Sequence, residues 1–586
     1  MSGSVGAPAQ DTADWRRSIA ADGLLREFND AGVLESSDVL VARRLTELAG
    51  VDDPQVALAV AFVVRALRGG SVCLDLTTLA EQVGHAELSW PQPRRWLDAV
   101  AASALVAEQS VLHVDGGLLY LDRYWIEERR VAEDVLALSA ARRSGPQLDV
   151  GRLFPPPYTE QRGAAEVALS RALTVLTGGP GTGKTTTVAR LLALLAEQAE
   201  LGGRPPLRIA LAAPTGKAAA RLLEAVRGEV QALDAADAAR LPALGATTLH
   251  RLLGSRPDTA SRFRHNRDNR LPHDVIVVDE TSMVSLTMMA RLLEAVRPES
   301  RLVLVGDPDQ LASVEAGAVL ADLVEGLTAG GADSPVARLS TSHRFGASIG
   351  MLAQAIRVGD ADAALEVLAG GGDHIEWVQT ESPAGILRKV LVPHALALRE
   401  AALLGDGPAA LATLEQHRML CAHRRGPYGV AHWNRQIERW LAEQTDMPVW
   451  AAWYPGRPVL VTANDYGLGL YNGDTGVAVL RNGDLRAVMS GATGPVELAP
   501  GRLADIETMH AMTIHKSQGS QATEVTVLLP PPDSRLLTRE LLYTAVTRAR
   551  EKVRLIGSAE QLRAAVERRA VRATGLSRRL VGAGSG

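Results

Sequence analysis

Cysteine is nearly missing from this chain. Cys73 and Cys421 are the whole supply and lie far apart, which excludes a disulfide framework and a cysteine-held metal. No long apolar run occurs either: the longest, Val56 to Val64, is too short to span a bilayer and ends at Arg65. The opening stretch MSGSVGAPAQDTADWRR has no basic segment followed by an apolar one, so no signal peptide is expected. A reducing cytoplasm is the expected location, with no membrane partner. Positive charge is not in excess, since the formal net charge is −5. Any nucleic-acid contact must therefore be local, in a groove, and not spread over the surface. What remains is ordinary for a globular protein, with 46% hydrophobic and 22% charged residues. A chain of 586 residues exceeds one hydrophobic core, and roughly three or four domains are expected.

The most informative stretch runs from Leu173 to Arg190, LTVLTGGPGTGKTTTVAR. Leu173 to Leu176 reads as a buried strand. It breaks at Gly178-Gly179-Pro180-Gly181-Thr182-Gly183-Lys184-Thr185, which fits G-x-x-x-x-G-K-[ST] at every fixed position. Thr186 follows, and apolar residues then recur at Val188, Leu191, Leu192 and Leu195, the spacing of one helix face. Glycines let backbone N–H groups curl around an anion, and the helix N-terminus adds its dipole. Residues Gly178 to Thr186 are thus expected to hold a nucleoside triphosphate. Lys184 would reach the β- and γ-phosphates and Thr185 would ligate Mg²⁺.

Strand and helix alternate after this loop. Strands are expected at Leu207 to Ala213, Asp274 to Val278 and Leu302 to Val305, each ending in a polar cluster. Parallel strands joined by helices gather their C-terminal ends on one edge, where ligands bind. Asp279, after the apolar run Val275 to Val278, is the expected Mg²⁺ partner of Thr185. Glu280 is placed to orient or deprotonate the attacking water. Gln310, in Gly306-Asp307-Pro308-Asp309-Gln310, could sense a γ-phosphate and relay its loss.

Before the loop, residues 1 to about 145 show helical periodicity at Val39, Leu40, Leu45 and Leu48, and again from Val56 to Leu67. Thr78 and Glu81 have capping-box spacing. Trp90, Trp96, Tyr120, Tyr124 and Trp125 concentrate here although aromatics are 4% of the chain. They fit either a small domain's own core or a docking surface for another subunit. Phe154-Pro155-Pro156-Pro157-Tyr158 reads as a stiff linker, and Thr159-Glu160-Gln161 opens the next helix.

From about residue 336 the alternation restarts without a second phosphate loop, with strands at Arg418 to Ala422, Val525 to Leu529 and Val553 to Gly557. Pro458 to Thr462 precedes two apolar runs flanking Asn482-Gly483, a hairpin signal that points to a β insert at about 455–500. The final ten or so residues read as a disordered tail. Arg344 and Arg548 in this half could bring positive charge to the γ-phosphate, although each alone reads as a surface charge. Arg256 to Arg270, carrying five arginines, fits a hairpin touching a nucleic-acid backbone or a solvated loop.

Taken in order, GGPGTGKTTT, APTGKAAARL, TTLHRLL, VVDETSMV, GDPDQL, LSTSHRF, TIHKSQGSQ and YTAVTRAR resemble the superfamily 1 helicases. Within them the chain is similar to the RecD family, the α subunits of RecBCD (exonuclease V) complexes, over roughly residues 150 to 575. LYNGDTG, Leu470 to Gly476, looks like the stretch before that family's SH3-like insert, and LYLDRYWIEE, Leu119 to Glu128, like the end of its N-terminal domain. The resemblance implies an α/β fold of two RecA-like parallel-sheet motor cores, a mostly helical N-terminal domain and a small SH3-like β insert. It implies that Gln161 reads adenine and that Arg344 and Arg548 are trans-domain fingers. Thr215, Lys217, Thr248, His250, Thr513, His515, Ser517 and Gln518 fall in motifs lining a single-strand groove.

The expected organisation is a partner-docking domain at 1–148, a first core with the ATP site at 149–335, a second core at 336–576 and a tail at 577–586. The expected activity is ATP- and Mg²⁺-dependent 5′-to-3′ movement along single-stranded DNA, in a heterotrimer with RecB-like and RecC-like subunits. The rivals are an autonomous helicase of the same family and a nucleotide-gated scaffold that does not translocate. The short basic loop leaves strand separation by this subunit alone open. No spaced Asp/Glu/Lys nuclease cluster is apparent, so nuclease activity is expected in another subunit.

Overall fold

A computed structural model describes residues 16–582 apart from 257–258, 330, 342–346, 381, 446–450, 466 and 492–493. Its strands in chain order begin with β1 (Cys73–Leu74), β2 (Leu112–Asp115) and β3 (Leu118–Leu121). The next group is β4 (Leu173–Gly178), β5 (Ile209–Ala213), β6 (Ala246–Thr248), β7 (Ser255–Arg256), β8 (Thr259–Phe263), β9 (Val275–Val278), β10 (Arg301–Gly306) and β11 (Val336–Leu339). The remainder are β12 (Ile375–Val378), β13 (His417–Cys421), β14 (Pro458–Val461), β15 (Thr475–Arg481), β16 (Asp484–Gly491), β17 (Gly494–Leu498), β18 (Ile506–Thr508), β19 (Ala511–Thr513), β20 (Ala522–Leu528) and β21 (Ala549–Ile556).

Two parallel sheets dominate. The first has the order β11-β4-β10-β9-β5-β6 and the second β12-β21-β20-β13-β19. Every pairing within them is parallel. Strands such as β9 and β10 are buried along their whole length, because helices cover both faces of a parallel sheet. One boundary moves: residues 336–339, expected to begin the second core, form β11 and pair with β4 of the first sheet. Periodicity marks a strand but does not say which sheet will take it.

The β insert is an antiparallel sheet in the order β17-β16-β15-β14-β18. Its central hairpin turns at Asn482 and Gly483, with φ of 52° and 89°. Positive φ at both positions is what a two-residue turn between right-twisted strands requires.

In the N-terminal region, helices Gly23–Asp30, Ser36–Ala49, Pro54–Arg68 and Pro93–Ala102 pack beside the sheet β1-β3-β2. The aromatics there divide. Trp90 and Trp96 fill the region's own core, where Phe62 stacks on Trp90 at 5.3 Å and meets Trp96 edge-on at 6.2 Å. Tyr120, Tyr124 and Trp125 instead pack into the cluster shared with the first core. Helix Ser36–Ala49 buries Val39 and Ala42 but leaves Leu40, Val41 and Leu48 exposed. The expected cap at Thr78 does not form, since its side chain accepts from Gln82 Nε2 and not from the helix backbone. The proline-rich stretch is no free linker either. Phe154 is buried in the first core and Arg190 lies over the Phe154 and Tyr158 rings.

The expected tail is instead a helix, Leu576–Gly582, over its described residues. Leu576 and Leu580, one turn apart, bury into the same cluster as Val131, Leu302 and Leu323. Arg579 Nε donates to the buried Glu128 at 2.9 Å and its Nη2 to Asp115 at 2.7 Å. Gly326 allows the close approach, as a Cβ there would sit 2.7 Å from Leu580 Cβ. Composition alone reads as disorder because this helix is stable only against its neighbours. Leu580→Ala should cost about 2–5 kcal/mol of local protection. Native-state amide exchange in Leu576–Gly582 tests this, and unchanged protection there would refute the docking. Among the described residues no helix is long and apolar enough to cross a membrane.

Candidate nucleotide site and strand groove

The phosphate loop joins β4 to helix Lys184–Leu201. Gly181 and Gly183 have φ of 81° and 83°, so the loop turns where a side chain would be strained. A Cβ on Gly178 would lie 2.6 Å from the Leu339 carbonyl oxygen, so β11 presses directly on the loop. Thr182 Oγ1 donates to the Gly179 carbonyl at 2.9 Å. Lys184 Nζ donates to the Gly178 and Gly179 carbonyls at 2.6 and 2.9 Å, which holds the ammonium over the loop. Gln161 is buried and its Nε2 donates to the Thr182 carbonyl at 3.2 Å, so helix Thr159–Ser170 grips the loop from behind.

Asp279 and Glu280 follow β9. Glu280 adopts φ of 51°, and its N–H donates to Asp279 Oδ1 at 2.9 Å. Burial and the neighbouring Glu280 push the Asp279 carboxyl well above the ordinary range, while Lys184 pulls the other way. The pair is short of positive charge, which suits a divalent cation between Asp279 and Thr185.

The second core reaches into this site. Arg548 Nη2 donates to Gln310 Oε1 at 2.7 Å, while Arg548 Nε donates to the Thr544 carbonyl at 3.1 Å. Asp307 ties the contact together, accepting at Oδ2 from Gln310 Nε2 and from Tyr543 Oη, each at 3.0 Å. Thr544 Oγ1 accepts from Leu311 N–H at 2.9 Å, and Leu311 is buried in the second core's cluster. Burial lowers the Arg548 pKa and Glu280 and Asp307 raise it. A guanidinium keeps its charge under such conditions. A cleft of about 900 Å³ lies between the cores, lined by Lys184, Thr185, Asp279, Glu280, Gln310 and Arg548 among others. Arg344 lies outside the described residues, as does its His343-Arg344-Phe345 surrounding.

The groove candidates divide by exposure. Thr215 and Thr248 follow or end neighbouring strands β5 and β6 and cap the next helices, accepting from Ala218 and Arg251 N–H. His250 lies near the Phe263 ring, 5.9 Å away. Lys217 donates to Thr475 Oγ1 at 3.3 Å; burial, Arg418 and Arg221 lower its ammonium to about 7. His515 is partly buried, which lowers its imidazole. Thr513, Ser517 and Gln518 are buried, and their polar atoms bond within the chain. Gln518 Nε2 donates to the Leu311 carbonyl at 2.7 Å, beside Gln310. Of the basic loop, β7 and β8 pair as a hairpin, Arg267 pairs with Asp134 at 2.7 Å, and Arg270 donates to the Val296 carbonyl.

Family models match three stretches: the RecBCD enzyme subunit RecD N-terminal domain at residues 30–120, an AAA domain at 161–316, and a UvrD-like helicase C-terminal domain at 508–556. The RecBCD enzyme subunit RecD of Mycolicibacterium smegmatis is 69% identical over 561 residues, covering 96% of this chain and 100% of its own. The chain belongs to the RecD family. Another family member, from Mycobacterium tuberculosis, is 66% identical over 97% of this chain and 99% of its own. The ATP-dependent RecD2 DNA helicase of Deinococcus radiodurans is 36% identical over 72% of this chain but only 52% of its own length.

Asp307, Tyr543 and Arg221 escaped the sequence reading. In this RecD-family chain they sit inside the quoted stretches GDPDQL, YTAVTRAR and APTGKAAARL, so the signal was present. An acid, a phenol and a guanidinium within a motif carry no role until their partners are known. Asp307 acquires one from Gln310 and Tyr543, and Arg221 from the Gly519 carbonyl at 3.0 Å.

Proposed function

We propose that this chain is an ATP-hydrolysing DNA helicase subunit of a RecBCD-type complex, acting in the cytoplasm and moving 5′ to 3′ along single-stranded DNA. The observation that carries the reading is the Arg548–Gln310 contact, which joins the second core to the phosphate-loop core across the cleft. Lys184, Thr185 and Thr186 face that cleft, Gln161 supports the loop, and Glu280 is the group available to take a proton from water. Thr185 and Asp279 would hold Mg²⁺, which neutralises charge on the β- and γ-phosphates when bound. The strand would cross the partly exposed Thr215, Lys217, Thr248 and His250. His515 would meet it from the second core, and the buried Thr513, Ser517 and Gln518 would shape the groove from beneath.

Motion follows from the geometry. Gln310 and Arg548 come from different cores, so a change in what they touch changes how the cores meet. Arg344 would be a second finger in the same transfer. The family names its members as subunits of RecBCD enzymes, and RecB-like and RecC-like partners follow by that membership. The exposed Leu40, Val41 and Leu48 offer an apolar face for such docking by the N-terminal domain.

ATP turnover with and without single-stranded DNA, on the wild type and on Lys184→Ala, tests the reading together with translocation assayed from each strand end. The expected result is strong stimulation by DNA, loss of turnover in the variant by about 10²-fold or more, and 5′-to-3′ movement. Turnover indifferent to DNA would replace the motor with a nucleotide-gated scaffold.

A further inference from the structure

One helix of the first core touches both the β insert and the second core. Gly216–Gln231 starts at the groove, where Thr215 caps it and Lys217 meets Thr475 of the β insert. One turn on, Arg221 Nη1 donates to the Gly519 carbonyl of the second core at 3.0 Å. Ala218, Arg221, Leu222, Ala225 and Gly228 then line the cleft at helical spacing, opposite the phosphate loop. At the far end Glu229 Oε1 accepts from Thr186 Oγ1 at 2.9 Å. From Gly216 to Glu229 the helix spans about 20 Å.

The chemistry of that last contact is exclusive. A threonine hydroxyl has one hydrogen to donate, and here it goes to Glu229. A phosphate oxygen and a carboxylate are both acceptors and both negative, so Thr186 cannot donate to the two together. Their charges also repel across a short gap. A nucleotide contact made by the Thr186 hydroxyl and the Glu229 contact therefore compete for one hydrogen, whereas the Thr186 backbone N–H stays free of this choice.

We propose that Glu229 is a positioning residue whose bond to Thr186 links nucleotide binding to the strand groove through the helix Gly216–Gln231. The proposal rests on the nucleotide and DNA reading above. When Thr186 turns to a phosphate, Glu229 loses its partner and the C-terminal end of the helix is freed to shift. A helix moves as a rod, so the shift reaches Arg221 and the Thr215–Lys217 end without any contact between nucleotide and DNA. The Thr186 side of this link lies in the proposed nucleotide site, whereas Glu229 itself touches neither substrate.

The experiment measures the dissociation constant for a fluorescent oligothymidylate, with and without a non-hydrolysable ATP analogue and Mg²⁺, on full-length wild type, Glu229→Ala and Glu229→Gln. The ratio of the two constants is the coupling, expected at about five-fold or more in the wild type. In Glu229→Ala it should collapse to about two-fold or less, with affinity for the oligonucleotide alone and the melting temperature unchanged. Glu229→Gln should retain most of it, because the amide oxygen accepts the same bond. Wild-type coupling in Glu229→Ala, or equal loss in both variants, would overturn the proposal. A wild type that shows no coupling fails the motor reading itself, and that result is visible without either variant.

Discussion

Replacing Arg548 by lysine should lower DNA-stimulated ATP turnover by about 10³-fold or more, the scale on which a finger arginine acts. The guanidinium reaches Gln310, the Thr544 carbonyl and the Ser520 carbonyl from one planar group. Lysine keeps the charge but offers a point donor that cannot span these partners. Truncation to alanine would confuse the result. It would leave the buried Gln310 oxygen without its donor, at a cost of about 1–3 kcal/mol in stability, as well as removing the charge. Steady-state turnover at saturating oligonucleotide, with the melting temperature as the folding control, separates the two. A loss of less than about ten-fold in a folded Arg548→Lys protein would mean the residue bridges the cores without acting on the phosphate.

Glu280→Gln should retain ATP binding and lose about 10²- to 10⁴-fold in turnover. Glutamine preserves the shape of a side chain held at φ of 51° and replaces the basic carboxylate oxygen by an amide group. It also removes the negative charge that pushes the Asp279 carboxyl up. Nucleotide affinity should therefore be equal to or tighter than wild type. Binding of a fluorescent ATP analogue, measured beside turnover, gives the pair of numbers needed. A parallel fall in affinity and turnover would place Glu280 in binding and remove it from the chemistry.

How far the sequence reading reached depends on the length scale of each feature. The phosphate loop, the strand ends at Asp279 and Gln310, and the Asn482-Gly483 turn are each written in a few adjacent residues, and all stand where the pattern puts them. Strand β12 escaped because Glu376 interrupts its short apolar run, and β19 because three residues are too few to show a period. Helix Ser36–Ala49 stands where the periodicity at Val39, Leu40, Leu45 and Leu48 puts it, but Leu40 and Leu48 point to solvent, since periodicity counts apolar residues without knowing what covers them.

The sequence by itself determined the nucleotide chemistry of this chain, because a loop that wraps phosphate, its lysine and its threonine must be contiguous to fold as one turn. It also determined the α/β class, because alternating short apolar runs and helical faces admit few other arrangements. Only the tertiary structure decided which polar groups meet. Gln310 and Arg548 are 238 residues apart, Glu128 and Arg579 are 451 apart, and Thr186 and Glu229 are 43 apart. A charged side chain takes its role from its partner, and at such separations packing of the whole chain chooses the partner.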